Sequence, residues 1–122
     1  MPMTHKTTPY EASVSELSRV MAWTPGRVVV MDIRERSAYE QGHIPGAKNV
    51  ALEEVAAECE RLSRDQVIVV YCGDVTCGLA LNAAMELAQN GYCARYLRGG
   101  MAEWERRGLP MEASRTAPTA RA

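Results

Sequence analysis

The sequence predicts an α/β fold built on a mainly parallel central sheet with helices on both faces. Three observations carry that reading. Val28-Val29-Val30-Met31 and Val67-Ile68-Val69-Val70-Tyr71 are apolar, β-branched runs without polar alternation, as strands covered on both sides require. Between and around them lie segments whose apolar residues recur at helical spacing. The two kinds of segment alternate along the chain, the pattern of parallel strands joined through helices.

The elements follow in order. Residues 1–9 are polar with two prolines and are expected to form a flexible tail. Ser13 and Glu16 form a capping box that starts a helix, carried by Val14, Leu17 and Met21 and stopped at Thr24-Pro25-Gly26. The strand from Val28 ends at Asp32. Ser37 to Glu40 reads as a short helical turn closed by Gly42, then a turn at His43-Ile44-Pro45-Gly46-Ala47 and a short strand at Asn49-Val50. Leu52, Val55, Cys59 and Leu62 line one face of another helix, which makes Cys59 a buried small hydrophobe. The strand from Val67 runs directly into Cys72. After it, Leu81, Ala84, Met85 and Ala88 mark a helix ended by Asn90-Gly91. Ala94 to Leu97 is a strand, Gly99-Gly100 a tight loop, and Met101 to Arg107 a last helix closed by Gly108 and Pro110. With no linker, repeat or low-complexity block, 10–111 is one domain, and 112–122 (EASRTAPTARA) is expected to be a second tail.

Composition narrows the function. Of 122 residues, 47% are apolar, enough for one core and little more. With 14 basic and 15 acidic side chains the net charge is −1, which removes the electrostatic case for nucleic acid or a membrane surface as partner. No apolar run approaches the roughly 20 residues that span a bilayer. Cys59, Cys72, Cys77 and Cys93 are too sparse for a disulfide scaffold, and the opening MPMTHKTTPY carries no apolar leader. The expectation is a soluble, cytoplasmic protein with reduced thiols. Any anion must be handled locally.

A parallel sheet places all strand C-termini at one edge, where ligands bind. Asp32, Cys72 and Gly99-Gly100 each follow a strand, so three separated segments converge there. Cys72 stands between a strand end and a helix start. A loop curled around its thiol would aim the amides of Gly73, Asp74, Val75, Thr76, Cys77 and Gly78 inward, with the helix dipole behind them. A dipole worth up to about 2 kcal/mol lowers a thiol pKa by no more than about 1.5 units, enough for a substantial thiolate fraction at neutral pH.

At these residues the chain resembles a known family. MDIRERSAYEQGHIPGAKNV resembles the first rhodanese signature, a D-x-R segment followed by G-H-I-P-G-A; IVVYC resembles the family's strand into its catalytic cysteine; and LRGGMAEWERRGLP resembles its C-terminal signature. The resemblance covers about Ser13 to Met111. It implies a rhodanese-like fold and a single-domain sulfurtransferase. Its cysteine, here Cys72, takes sulfane sulfur from a small donor such as thiosulfate as a persulfide and passes it to cyanide or a thiol. A protein thiol is a further class of acceptor. No metal or organic cofactor is implied.

The active-site loop departs from the family. A common version reads C-x-x-G-x-R, whereas this one reads Cys72-Gly73-Asp74-Val75-Thr76-Cys77. The length is kept and the cation is lost. A charge-assisted hydrogen bond contributes about 1.5 to 3 kcal/mol, so its loss weakens thiosulfate binding by roughly ten- to a hundredfold. Asp74 opposes an anionic donor further, and Val75 replaces a glycine. A persulfide or polysulfide is therefore the expected donor. Cys77 is either a filler where the basic side chain has gone or a resolving thiol that attacks oxidised Cys72 and closes a disulfide.

Related chemistries are excluded. Zinc binding fails because C-x4-C has no second ligand pair and His43 lies in a turn of its own. Cysteine phosphatases of similar fold need a loop one residue longer that ends in arginine. Among supporting residues, Asp32 is expected to hydrogen-bond the loop amides, Arg34 to offer a nearby positive charge, and His43 to anchor its turn. Cys93 is expected to be an unremarkable semi-exposed thiol away from this edge. A dithiol reductase using Cys72 and Cys77, or a rhodanese-fold binding or regulatory module without turnover, are the rival readings. Nothing in the sequence selects an oligomeric state.

Overall fold

The computed structural model describes residues 10–74 and 77–113. The expected N-terminal tail, most of the C-terminal one (114–122), and Val75 and Thr76 lie outside them. Five strands, β1 (Glu11–Ala12), β2 (Val28–Asp32), β3 (Lys48–Asn49), β4 (Val67–Tyr71) and β5 (Cys93–Leu97), form one sheet in the order β1-β5-β4-β2-β3. Every pairing is parallel, as the uninterrupted apolar runs predict. The helices are α1 (Val14–Trp23), α2 (Arg36–Gln41), α3 (Val55–Cys59), α4 (Leu79–Gln89) and α5 (Gly100–Arg106).

Strand periodicity divides the core in two. Val30, Val69, Tyr71 and Leu97 face one side and pack with Val14 and Leu17 of α1 and Met101 and Trp104 of α5. Met31, Ile68, Val70 and Ala94 face the other and pack with Val55 and Cys59 of α3 and Ala80, Ala84 and Leu87 of α4. Helices thus cover both faces of the sheet.

Beyond one-residue shifts at element ends, among them the strand expected at Asn49-Val50 and found at Lys48–Asn49, the structure differs from the sequence reading in four places. Strand β1 carries no strand signal of its own; it exists because Tyr96 N donates to Tyr10 O and Arg98 N to Ala12 O, at 2.7 and 2.9 Å, capping the free edge of β5. The helix expected from Leu52 begins as a 3-10 turn, Leu52–Glu54, and is α-helical only to Cys59. In α4 the buried residues are Ala80, Ala83, Ala84 and Leu87, while Leu81, Met85 and Ala88 are half-buried. Apolar residues cover too wide an arc of this helix for spacing to show which stripe meets the sheet. Finally Glu112, assigned by composition to the tail, forms an antiparallel bridge with His43, each amide donating to the other's carbonyl at 2.8 and 2.9 Å. A long-range pairing of one residue leaves no trace in local composition.

The capping box is present: Glu16 N donates to Ser13 Oγ at 3.0 Å and Ser13 N to Glu16 Oε1 at 2.9 Å. Ser13→Ala is expected to lower unfolding free energy by about 0.5 to 2 kcal/mol in chemical denaturation, with no change in denaturant slope.

Candidate active site

The segments predicted to converge do meet at the C-terminal edge of the sheet. The β2–β4 register pairs Asp32 with Tyr71, and Ile33 N donates to Tyr71 O at 3.1 Å, so the chain leaves both strands side by side. Cys72 is the next residue after β4.

Its backbone is held from α5. The Met101 amide donates to Cys72 O at 2.9 Å and the Ala102 amide to Gly73 O at 2.8 Å. The first turn of α5 therefore spends two of its amides on the carbonyls of Cys72 and of the residue after it. Such an approach needs glycine: Gly100 sits at φ +58°, and a Cβ there would overlap the Cys72 carbonyl, with Cys72 C at 3.0 Å and Gly73 C at 3.1 Å. Gly99-Gly100 is a brace for the cysteine.

Cys72 and Cys77 are disulfide-bonded, with their Cα atoms 6.4 Å apart. The expectation that all four thiols are reduced is corrected here, because the five-residue separation lets the loop fold the second sulfur back onto the first. Cys77 N donates to Asp74 O at 3.2 Å, so this amide closes the loop's own turn and is not aimed at a ligand as expected. Gly78 then caps α4, its carbonyl accepting from Asn82 N at 3.1 Å. Cys72, Gly73 and Cys77 are half-buried, and Asp74 and Gly78 exposed. The expected contributions of Val75 and Thr76 lie outside the described residues.

Asp32 is fully buried. Its carboxylate accepts from the Arg34 amide at 2.8 Å and from Arg34 Nε at 3.1 Å and a terminal guanidinium nitrogen at 2.8 Å. Arg34 also donates to Gly42 O at 2.6 Å. Two expectations change: Asp32 is satisfied by Arg34 and the Tyr71 hydroxyl, and the guanidinium is neutralised by Asp32. Sequence spacing places a carboxylate and a cation near the edge but cannot show that they spend their charge on each other. Burial works against the Arg34 charge, yet the Asp32 hydrogen bond and charge outweigh it and hold the guanidinium above its ordinary pKa.

Spacing alone does not single out Tyr71, whose signal is a phenol ending an otherwise aliphatic strand. The hydroxyl accepts from the Ile44 amide at 3.1 Å and donates to Asp32. Burial first, then Asp32, pushes its pKa far up, so it stays protonated. His43 serves as the expected turn anchor. Its ring stacks on Tyr39 at 3.8 Å between centroids, and Nδ1 lies 2.8 Å from Tyr39 O.

Among the described residues no group of three or more His, Cys, Asp or Glu side chains is arranged to hold a metal, and no helix is long and apolar enough to cross a membrane. The two free cysteines differ. Cys59 is buried, and desolvation, aided by Glu58, pushes its thiol up to about 11, whereas Cys93 is exposed.

Residues 13–107 match the family model described as a rhodanese-like domain. An HTH-type transcriptional regulator of Mycobacterium tuberculosis is 37% identical over 87 residues, 71% of this chain and 38% of that protein. A tRNA sulfurtransferase of Desulfurococcus amylolyticus is 33% identical over 77% of this chain and 18% of its own length. The chain thus spans well under half of these two curated relatives. In structure it resembles a Bacillus halodurans protein, with TM-score 0.78 and 30% identity over 87% of this chain and 78% of that one. It also resembles the rhodanese-like domain of an Anabaena protein, with TM-score 0.72 and 25% identity over 93% and 87%.

Two outcomes are expected of this arrangement. Gly100→Ala destabilises by about 1 to 3 kcal/mol and alters the alkylation rate of reduced Cys72. Gly108→Ala, at φ +71° but with nothing within 4 Å of the added Cβ, carries only the conformational cost and leaves that rate unchanged; denaturation midpoints and labelling kinetics decide. Iodoacetamide at pH 8 modifies Cys93 in the native oxidised protein and spares Cys59, whose thiolate fraction three units below its pKa is about 0.1%. Reduction adds Cys72 and Cys77 to the labelled set, read by peptide mapping.

Proposed function

Because the chain belongs to the rhodanese-like domain family, we propose that it is a sulfurtransferase that carries sulfane sulfur on Cys72. Membership and the tRNA sulfurtransferase relatives support a role within the sulfurtransferase class. The observation that carries the assignment to Cys72 is its placement: the residue follows β4 at the ligand-binding edge, precedes α4, and has its carbonyl clamped by α5.

In the first step the reduced Cys72 thiolate attacks the outer sulfur of a donor R–S–SH. The Cys72 S–S bond forms, the donor S–S bond breaks, and R–S⁻ leaves, taking a proton to become a thiol. A thiophilic acceptor, cyanide or a thiol, then removes the outer sulfur and restores the Cys72 thiolate. No cofactor takes part. Thiosulfate is a poor donor on this reading. The family's loop cation is absent, Asp74 stands in the loop, and Arg34 is committed to Asp32, so backbone dipoles are the main attraction for an anion.

The disulfide favours a second outcome for the same intermediate. The Cys77 thiolate attacks Sγ of the Cys72 persulfide, the Cys72–Cys77 bond forms and hydrosulfide leaves; two equivalents of an external thiol then reduce the disulfide. Cys77 is then the resolving thiol and the chain a dithiol reductase of persulfides. The cycle draws on a compartment rich in thiol reductant, the basis for placing the chain in the cytoplasm.

The test incubates the reduced protein with a glutathione persulfide and, separately, thiosulfate, and locates added sulfur by mass spectrometry. Sulfur on Cys72 is expected, at least tenfold faster from the persulfide. Cys72→Ser abolishes uptake. Cys77→Ser keeps uptake but loses the disulfide and the released sulfide; unchanged sulfide release would remove the resolving role. No sulfur on Cys72 from either donor would leave a binding or regulatory module as the reading that stands.

A further inference from the structure

Beside the cysteine loop lies a groove that the chemistry above does not use. It runs between α4 and the 3-10 turn that leads into α3, with a volume of about 290 Å³. Buried Val55, Ala83 and Leu87 form its floor. Two of its lining residues come from the C-terminal edge of the sheet for a topological reason: Leu52 follows the C-terminal end of β3, and Leu79, the first residue of α4, comes two residues after Cys77. Leu79 is 47% exposed, a large aliphatic side chain left in water next to the redox pair.

The rim is acidic. Glu53 and Glu86 line the groove, and no lysine or arginine does. Both are exposed, and among the described residues neither forms a salt bridge. Glu58, on the neighbouring α3, is by contrast already paired with Lys48 at 2.7 Å. An apolar floor beneath two uncompensated carboxylates is suited to an aliphatic segment bearing positive charge. Leu79 and Leu87 lie about 12 Å apart along α4, the span of three or four extended residues. A peptide seated there would hold a neighbouring cysteine beside Cys72 and Cys77.

We infer that this groove docks the polypeptide that exchanges sulfur or disulfide with the Cys72–Cys77 site, through a basic, aliphatic segment next to the partner's own cysteine. The inference rests on the proposed sulfur transfer and names the class of its partner: a protein thiol or persulfide with a positively charged flank. It also gives the acidic rim a purpose. Glu53 and Glu86 attract a cationic chain and oppose a small anion, so the same two charges favour a polypeptide partner over an anionic one.

The experiment separates docking from turnover. The Cys72→Ser/Cys77→Ser protein, which can neither trap a peptide covalently nor turn over, is titrated against two fluorescent peptides. Both carry one alkylated cysteine and two leucines; one is flanked by lysine and arginine, the other by aspartate and glutamate. Fluorescence anisotropy is expected to show the basic peptide binding about tenfold tighter at low ionic strength, with the preference shrinking as salt screens the rim. Adding Glu53→Lys and Glu86→Lys, both at exposed positions, is expected to abolish or reverse it. Equal affinity for the two peptides, or a preference that survives the charge reversal, overturns the inference. Failure of sulfur uptake on Cys72 with the preference intact overturns the transfer reading alone.

Discussion

Two main-chain hydrogen bonds, from the amides of Met101 and Ala102 to the carbonyls of Cys72 and Gly73, tie the last helix to the cysteine loop. They require backbone to approach backbone at a distance no side chain allows, and Gly100 supplies the gap. The thiol is thus positioned by two strand ends at once. It leaves β4 in a direction set by the sheet, and its carbonyl is held from beyond β5. Trp104 and Met101, buried against the sheet from the same helix, keep the clamp in place.

A second constraint lies one strand away. Asp32 is sealed from water and would be costly to bury alone; Arg34, Tyr71 and the loop amide at Arg34 make its burial tolerable. The same groups reach outward, Arg34 to the Gly42 carbonyl and Tyr71 to the Ile44 amide. One buried carboxylate therefore organises the turn at 42–47 against the ends of β2 and β4. The consequence for chemistry is subtractive, because the cation nearest in sequence to this edge is neutralised by its own scaffold. What remains to attract a substrate is backbone dipole and the shape and charge of the surface alongside.

Much of this was legible beforehand because it is local. The apolar runs at Val28 and Val67, the capping box at Ser13 and Glu16, and the glycines closing α2 and α5 depend on residues a few positions apart. Cys72 stood out because a strand end, flanking glycines and a helix start are also local features. Strand β1 was not legible: a two-residue strand has no period, and its existence depends on the edge offered by β5, more than eighty residues away. The same holds for the bridge of His43 with Glu112 and for the stripe of α4 that meets the sheet. Cys77 lay between. Its spacing from Cys72 could be read, but both a filler and a partner fit that spacing, and the loop's turn at Asp74 and Cys77 brings the two sulfurs together.

By itself the sequence determined the α/β class, the parallel sheet, the strand-end edge where separated segments meet and the cysteine that stands there, since periodicity and strand-end position are properties of short stretches. The tertiary structure alone decided how charges are spent and which backbones touch. Arg34 is committed to Asp32, Tyr71 joins them, α5 clamps Cys72, and Glu53 and Glu86 face a shared groove with no compensating cation among the described residues. Each of these depends on distances between residues far apart in the chain or on the direction a side chain takes once packed, and neither is encoded in spacing.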